Sequence, residues 1–320
     1  MAEVMIETGG VELCTETFGA PTDSPVLLVM GLGASMLWWD EGFCRTLAGA
    51  GRFVIRYDHR DTGRSTCHAP GLPGYGGAAL VADAIGVLDG HGVGSAHVVG
   101  VSAGGGIAQV LALDAPHRVR SLVLVSTSPA VPVDQPLPPP APAFGRFFAE
   151  VDVDWTDRTS VVDYLVGFTR LLAGNERPFD EDTCRDLVRR DVDRAVDFAS
   201  LQNHDLLDHD DGPHPPLASI AAPTLVVHGT ADPLFLLAHG EALVEAIPNA
   251  GARWLDGAGQ RAGPGGSGGR RVGDHPAHGL GGMSPWRPAV QDASPVVTGW
   301  PAGPAETCRP NSARPPSAGP

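Results

Sequence analysis

The chain has 320 residues with 42% apolar content, enough for one large α/β domain with an insertion or for two small domains. Its formal net charge of −15 argues against nucleic acid or an anionic membrane surface as a partner. There is no apolar run of the roughly 18 residues that a span requires and no basic-then-apolar leader, so neither a membrane segment nor a secretory signal is expected, and the cytoplasm is the expected compartment.

The five cysteines, Cys14, Cys44, Cys67, Cys184 and Cys308, are scattered and form no C-x-x-C pair, so the pattern indicates neither a metal site nor a disulfide framework. All 22 basic residues are arginine, which reads as the codon bias of a GC-rich genome. Residues 1–18 alternate in polarity around Gly9-Gly10 and predict two short strands. Residues 25–30, Pro-Val-Leu-Leu-Val-Met, suit a strand buried on both faces. The Gly31-Leu32-Gly33-Ala34 loop that follows can offer backbone N–H groups without side-chain obstruction. Residues 37–49 read as a helix and 53–57 as a strand. The polar loop from Asp58 to Ser65 resembles a catalytic cluster, but its Asp and Arg side chains are better suited to tying a long loop together. Residues 80–91 predict an amphipathic helix.

The next stretch organises the chain. His97-Val98-Val99 is strand-like, Gly100-Val101-Ser102-Ala103-Gly104 is a G-x-S-x-G turn, and the residues after Gly106 can be helical. Strand, sharp turn and helix is the context that makes this pattern a nucleophile elbow, with the serine hydroxyl raised above the sheet. The helix N-terminus aims N–H groups and partial positive charge at the place where an oxyanion would form.

Residues 119–125 form another apolar strand, after which the composition changes. Residues 129–142 are Pro-rich, and residues 144–207 read as helices, most clearly 161–172 and 184–201. This block interrupts the strand–helix alternation and is expected to be a helical cap over residues 128–217. The α/β core then comprises residues 1–127 and 218–257. Residues 223–228 return to strand and end at Asp232-Pro233, residues 236–247 are helical, and residues 253–255 form the final strand. An acidic residue in the loop after a late strand, following the serine with a cap between them, matches the chain order Ser, Asp, His of a hydrolase triad.

With these residues in view the chain resembles the α/β-hydrolase superfamily, and within it the methylesterases of anthracycline biosynthesis, of the aclacinomycin methylesterase type. The likeness rests on Val29-Met30-Gly31, on the run from Arg56 to Ser65, on His97 to Ser102, on Pro223 to Val227 and on Asp232-Pro233. It implies a doubly wound, mostly parallel sheet with an inserted helical cap. It also implies Ser102 as nucleophile, Asp232 as acid, and the N–H groups of Leu32 and Ala103 as oxyanion hole. The implied substrate is a small-molecule carboxylic ester, most simply the methyl ester of a hydrophobic natural product. No cofactor, metal, nucleic acid or membrane partner is implied, and the oligomeric state is left open.

The resemblance breaks where the base is due. The family's histidine follows the final strand in a Gly-x-Gly-His setting, and here Gly257-Ala258-Gly259-Gln260 stands instead. A glutamine amide has no usable proton affinity near pH 7. From Gly257 onward about two-fifths of the chain is Gly and Pro, and no amphipathic closing helix follows. Residues 258–320 therefore read as a disordered tail. A low-complexity extension and a shifted reading frame compete as explanations; the frameshift fits better, because fold-like sequence stops where the histidine is due. His275 and His278 are substitutes for the base only if a Gly-rich tether can place an imidazole accurately. Cofactor-free perhydrolysis or C–C bond hydrolysis on the same fold is an alternative, as is a hydrolase-fold binding protein without turnover. A haloalkane dehalogenase does not fit, because its nucleophile is an aspartate.

Overall fold

The computed structural model describes residues 3–207 and 213–260. Strands β1 (Val4–Thr8) and β2 (Val11–Phe18) form the expected antiparallel hairpin, with Gly9 and Gly10 both at positive φ. Strands β3 (Ser24–Val29), β4 (Arg52–Tyr57), β5 (Ala96–Val101), β6 (Val119–Val125), β7 (Thr224–Gly229) and β8 (Gly251–Leu255) complete one eight-stranded sheet. Its order is β1-β2-β4-β3-β5-β6-β7-β8. The two pairings made by β2 are antiparallel and all others are parallel. Every residue of β3 after Ser24 is buried, as its unbroken apolar run predicts for a central strand covered on both faces.

Helices α1 (Glu41–Gly49), α2 (Gly77–Gly90), α3 (Ala103–Asp114) and α7 (Leu237–Ala246) alternate with the strands. One face of the sheet buries Leu27, Val98 and Leu122 against Leu88 of α2, Leu111 of α3 and Leu243 of α7. The other buries Val26, Leu28 and Val54 beside Trp39 and Cys44. Between β6 and β7 the alternation is interrupted by α4 (Pro142–Glu150), α5 (Arg158–Ala173) and α6 (Glu181–Arg194). This insertion has its own apolar seam, in which Val161, Val162 and Val166 meet Cys184, Val188 and Val192.

Two predicted helices are shorter than their sequence patterns. In residues 37–49, Ser35 caps a 3₁₀ turn (Met36–Trp38) and Asp40 caps α1 anew, its carboxylate accepting the Phe43 N–H at 3.0 Å. In residues 184–201, α6 stops at Arg194 and a separate 3₁₀ segment (Phe198–Leu206) follows. The cause is tertiary. Arg194 is drawn into ion pairs with Asp58 at 2.7 Å and Glu3 at 2.8 Å, and the Val196 N–H leaves the helix for Gly63 O.

Candidate active site

The turn between β5 and α3 holds Ser102 at φ 53°, ψ −126°. A side chain rarely adopts this conformation, and it costs of order 1–3 kcal/mol where it persists. Its surroundings fix it. The Ser102 N–H donates to Val125 O at 2.9 Å, and Thr127 Oγ1 donates to Ser102 O at 2.6 Å. The flanking glycines are required by space. A Cβ on Gly100 would lie 2.2 Å from Gly104 O, and one on Gly104 would lie 2.4 Å from both Val29 O and Met30 O.

The turn after β3 passes beside this serine: a Cβ on Gly31 would be 3.3 Å from Ser102 Cβ. Leu32, the next residue, is half-buried. Ala103 opens α3, so its N–H is one of the first-turn donors that have no acceptor within their own helix. The two backbone groups singled out in the sequence thus belong to the residue that follows Ser102 and to the turn that passes beside it, and partial positive charge from the N-terminus of α3 is directed there too.

Gln260 lies next to Ser102. Its Nε2–H donates to Ser102 Oγ at 3.2 Å, and the residue is buried. The amide meets the hydroxyl as a donor, so it occupies the oxygen's lone pair and takes no proton. Asp232 occupies the loop after β7. Its Oδ1 accepts the N–H groups of Leu234 and Phe235, both at 2.9 Å. Its Oδ2 is buried with no hydrogen-bond partner among the described residues. Burial pushes the Asp232 carboxyl up to about 7, against the pull of those two backbone donors. His228 Nε2 is 3.5 Å from Oδ2 but makes its bond to Phe235 O at 2.6 Å, and burial lowers its pKa. His275 and His278, and the tail expected to be disordered, lie outside the described residues.

The polar loop after β4 is structural, as its composition suggested. Asp58 accepts from Met36 N–H and Arg64 N–H, Arg60 pairs with Asp83 at 2.6 Å, and Asp61 accepts from Tyr75 Oη at 2.7 Å. Sequence reading missed two buried histidines at the turn after β3. His59 Nε2–H donates to Met30 O at 2.8 Å, and His204 Nδ1 accepts the Gly33 N–H at 2.8 Å. His204 comes from the insertion, so no sequence spacing could have paired it with Gly33.

Rhodomycin D methylesterase DauP of Streptomyces sp. strain C5 is 37% identical to this chain over 267 residues, spanning 77% of the chain and 88% of the relative. The chain belongs to the α/β-hydrolase family. A family profile for the alpha/beta hydrolase fold also matches residues 24–160. A putative carbamate hydrolase, RutD of Variovorax paradoxus, is 40% identical over 111 residues, 35% of this chain and 41% of its own. Among solved structures, a hydrolase from Pseudomonas aeruginosa PA01 superposes with a TM-score of 0.59 at 28% identity, covering 79% of this chain and 89% of that one. The chain therefore has a hydrolase fold with hydrolases as relatives. Among the described residues no helix is long and apolar enough to cross a membrane.

Proposed function

We propose that this α/β-hydrolase acts on a carboxylic ester through Ser102, and that it does so slowly because Gln260 stands where a base is required. The substrate class is the methyl ester of a hydrophobic natural product, on the strength of the identity to rhodomycin D methylesterases. The observation that carries the reading is the pairing of Gln260 Nε2 with Ser102 Oγ at 3.2 Å while Asp232 Oδ2 lacks a donor among the described residues. These are the two contacts that a triad histidine would make, one to the serine and one to the carboxylate.

In the reaction, Ser102 Oγ bonds the ester carbonyl carbon and the N–H groups of Leu32 and Ala103 hold the oxyanion. The C–O bond to the alcohol breaks, and the alcohol leaves as methanol carrying a proton. Water then adds to the acyl carbon, releases the acid and restores the serine hydroxyl. Without an imidazole the serine proton passes to solvent, so acylation is the slow step. What persists is catalysis from the oxyanion hole and binding, of order 10³–10⁴ over water. The insertion acts as a cap that selects the substrate. Its aromatic rings support this reading: Tyr164 stacks on Phe168 at 6.2 Å and on Phe147 at 5.8 Å.

The second reading is a hydrolase-fold binding protein, and the Gln260–Ser102 hydrogen bond is the observation that favours it. A p-nitrophenyl ester separates the two. Release of p-nitrophenol that falls to background in Ser102→Ala supports the esterase; release at the rate of the Ser102→Ala variant supports the binder.

A further inference from the structure

The turn from Met30 to Gly33 is gripped at both ends by buried imidazoles. At one end His59 Nε2–H donates to Met30 O at 2.8 Å. At the other His204 Nδ1 accepts the Gly33 N–H at 2.8 Å, while its Nε2–H donates to Arg60 O at 2.8 Å. The two rings meet edge to face, with centroids 6.1 Å apart. His59 is fully buried and His204 is 1% exposed. Gly33 itself sits at φ 68°. Leu32, whose N–H the proposed mechanism uses, lies between these two grips.

We propose that His204 is a positioning residue: by accepting the Gly33 N–H it fixes the turn that presents the Leu32 N–H to an oxyanion on Ser102. This rests on the esterase reading above. Both contacts require the Nε2–H tautomer, because Nδ1 must be free to accept and Nε2 must donate to a carbonyl. A protonated ring would set an N–H against the Gly33 N–H. Burial opposes that, pushing His204 down to about 4, helped by His59 and opposed by the Arg60 carbonyl contact and Asp61. The insertion thereby shapes the oxyanion side of the site from a residue that need not touch substrate. A ring outside the reaction can still set the rate, because a donor displaced by a fraction of an ångström misses the charge it is meant to meet.

The test uses two amide substitutions in the full chain, each of which reproduces one ring nitrogen. His204→Asn places an amide oxygen where Nδ1 was, keeping the acceptor for Gly33 and losing the donor to Arg60 O. His204→Gln places an amide nitrogen where Nε2 was, keeping that donor and losing the acceptor. Phenylboronic acid, which forms an anionic tetrahedral adduct on a serine oxygen, is titrated calorimetrically. The expected result is affinity weakened about tenfold in His204→Gln and by less than threefold in His204→Asn, with similar losses in melting temperature. Equal weakening in both, or none in either, overturns the proposal. A Ser102→Ala variant that binds the boronate as the unsubstituted chain does overturns the esterase reading instead. Should the boronate not bind, or the variants not fold, ¹⁵N shifts of His204 in the unsubstituted chain decide. A pyridine-type Nδ1 with a slowly exchanging Gly33 amide is expected, and a protonated Nδ1 or a rapidly exchanging Gly33 amide overturns the proposal.

Discussion

Gln260 donates its backbone N–H to Leu172 O at 2.9 Å, which ties the loop after β8 to the end of α5. The position of side chain 260 is thus set by the insertion as well as by the sheet. Replacing Gln260 by histidine should place an imidazole beside Ser102 Oγ. We expect kcat/KM on a soluble methyl ester to rise by about 10²-fold or more, the usual scale of general-base assistance. The gain should fall short of a complete triad, because the Gly- and Pro-rich sequence after Gln260 carries no amphipathic pattern for a closing helix to support the loop. Steady-state kinetics of the unsubstituted chain, Gln260→His, and Gln260→His with Ser102→Ala check this. A gain that survives loss of the serine would show that the new base serves another group.

The same loop depends on two glycines for space. A Cβ on Gly259 would lie 2.3 Å from Ala173 O, and one on Gly229 would lie 2.2 Å from Ala258 O. These neighbours are backbone and cannot swing aside. Gly259→Ala should cost about 1–3 kcal/mol in urea unfolding, the scale of overpacking. In the Gln260→His background it should also remove most of the gained activity.

Asp232 gives a pH signature. Its folded pKa of about 7 lies above the ordinary carboxylate value, so the folded state keeps a proton that the unfolded state has lost. Its stabilising contribution is present below about pH 4 and is lost as pH rises through about 7. Asp232→Asn should abolish this term, so the stability difference, variant minus unsubstituted chain, should climb between about pH 4 and 7. His204, His59, His228 and His239 are lowered by burial and destabilise the fold toward acid. His204, His59 and His239 do so in both proteins and cancel in the difference. His228 lies 3.5 Å from Asp232 Oδ2, so it is held constant by making the comparison in a His228→Gln background. A flat difference in denaturant midpoints across this range would refute the assignment.

The insertion is bolted on at its far end. The Arg194 side chain is 9% exposed and pairs with Asp58, which is fully buried, while Trp38 Nε1–H donates to Asp191 Oδ2 at 2.7 Å. Removing one partner of a buried pair leaves an uncompensated charge, so Arg194→Ala should cost about 3–5 kcal/mol. It should also loosen α6 in hydrogen exchange. An opening motion of the insertion, if measured, should therefore involve α4 more than α5 and α6, because α5 shares an apolar seam with α6 and accepts the Gln260 N–H at its end.

Much of this was legible in the chain, and for identifiable reasons. β6 runs over the predicted residues 119–125, and β3, β5 and β7 fall on apolar runs; β3 is buried on both faces, while β5, β6 and β7 keep apolar residues even at half-buried or exposed positions. The elbow was legible because Gly100 and Gly104 are sterically obligatory around Ser102. Helix ends were harder. Nothing local stops α6 at Arg194; the stop lies in Asp58 and Glu3, far away in sequence. The grip of His204 on Gly33 spans 171 residues and leaves no periodic trace. Gln260 was legible as an anomaly, but its hydrogen bond to the serine required three dimensions.

The parallel pairing of β6 with β7 joins Leu122–Val125 to Thr224–Val227, across roughly a hundred intervening residues. Closing a flexible loop of that length costs about 4 kcal/mol of chain entropy before any contact repays it. During synthesis the elbow can therefore take shape on β3, β5 and β6 long before the carboxylate of Asp232 arrives. Until β7 docks, β6 presents an open apolar edge, the kind of surface on which nascent chains stick to one another. The length of the insertion thus sets how long the half-built sheet stays vulnerable, independently of anything it does for a substrate.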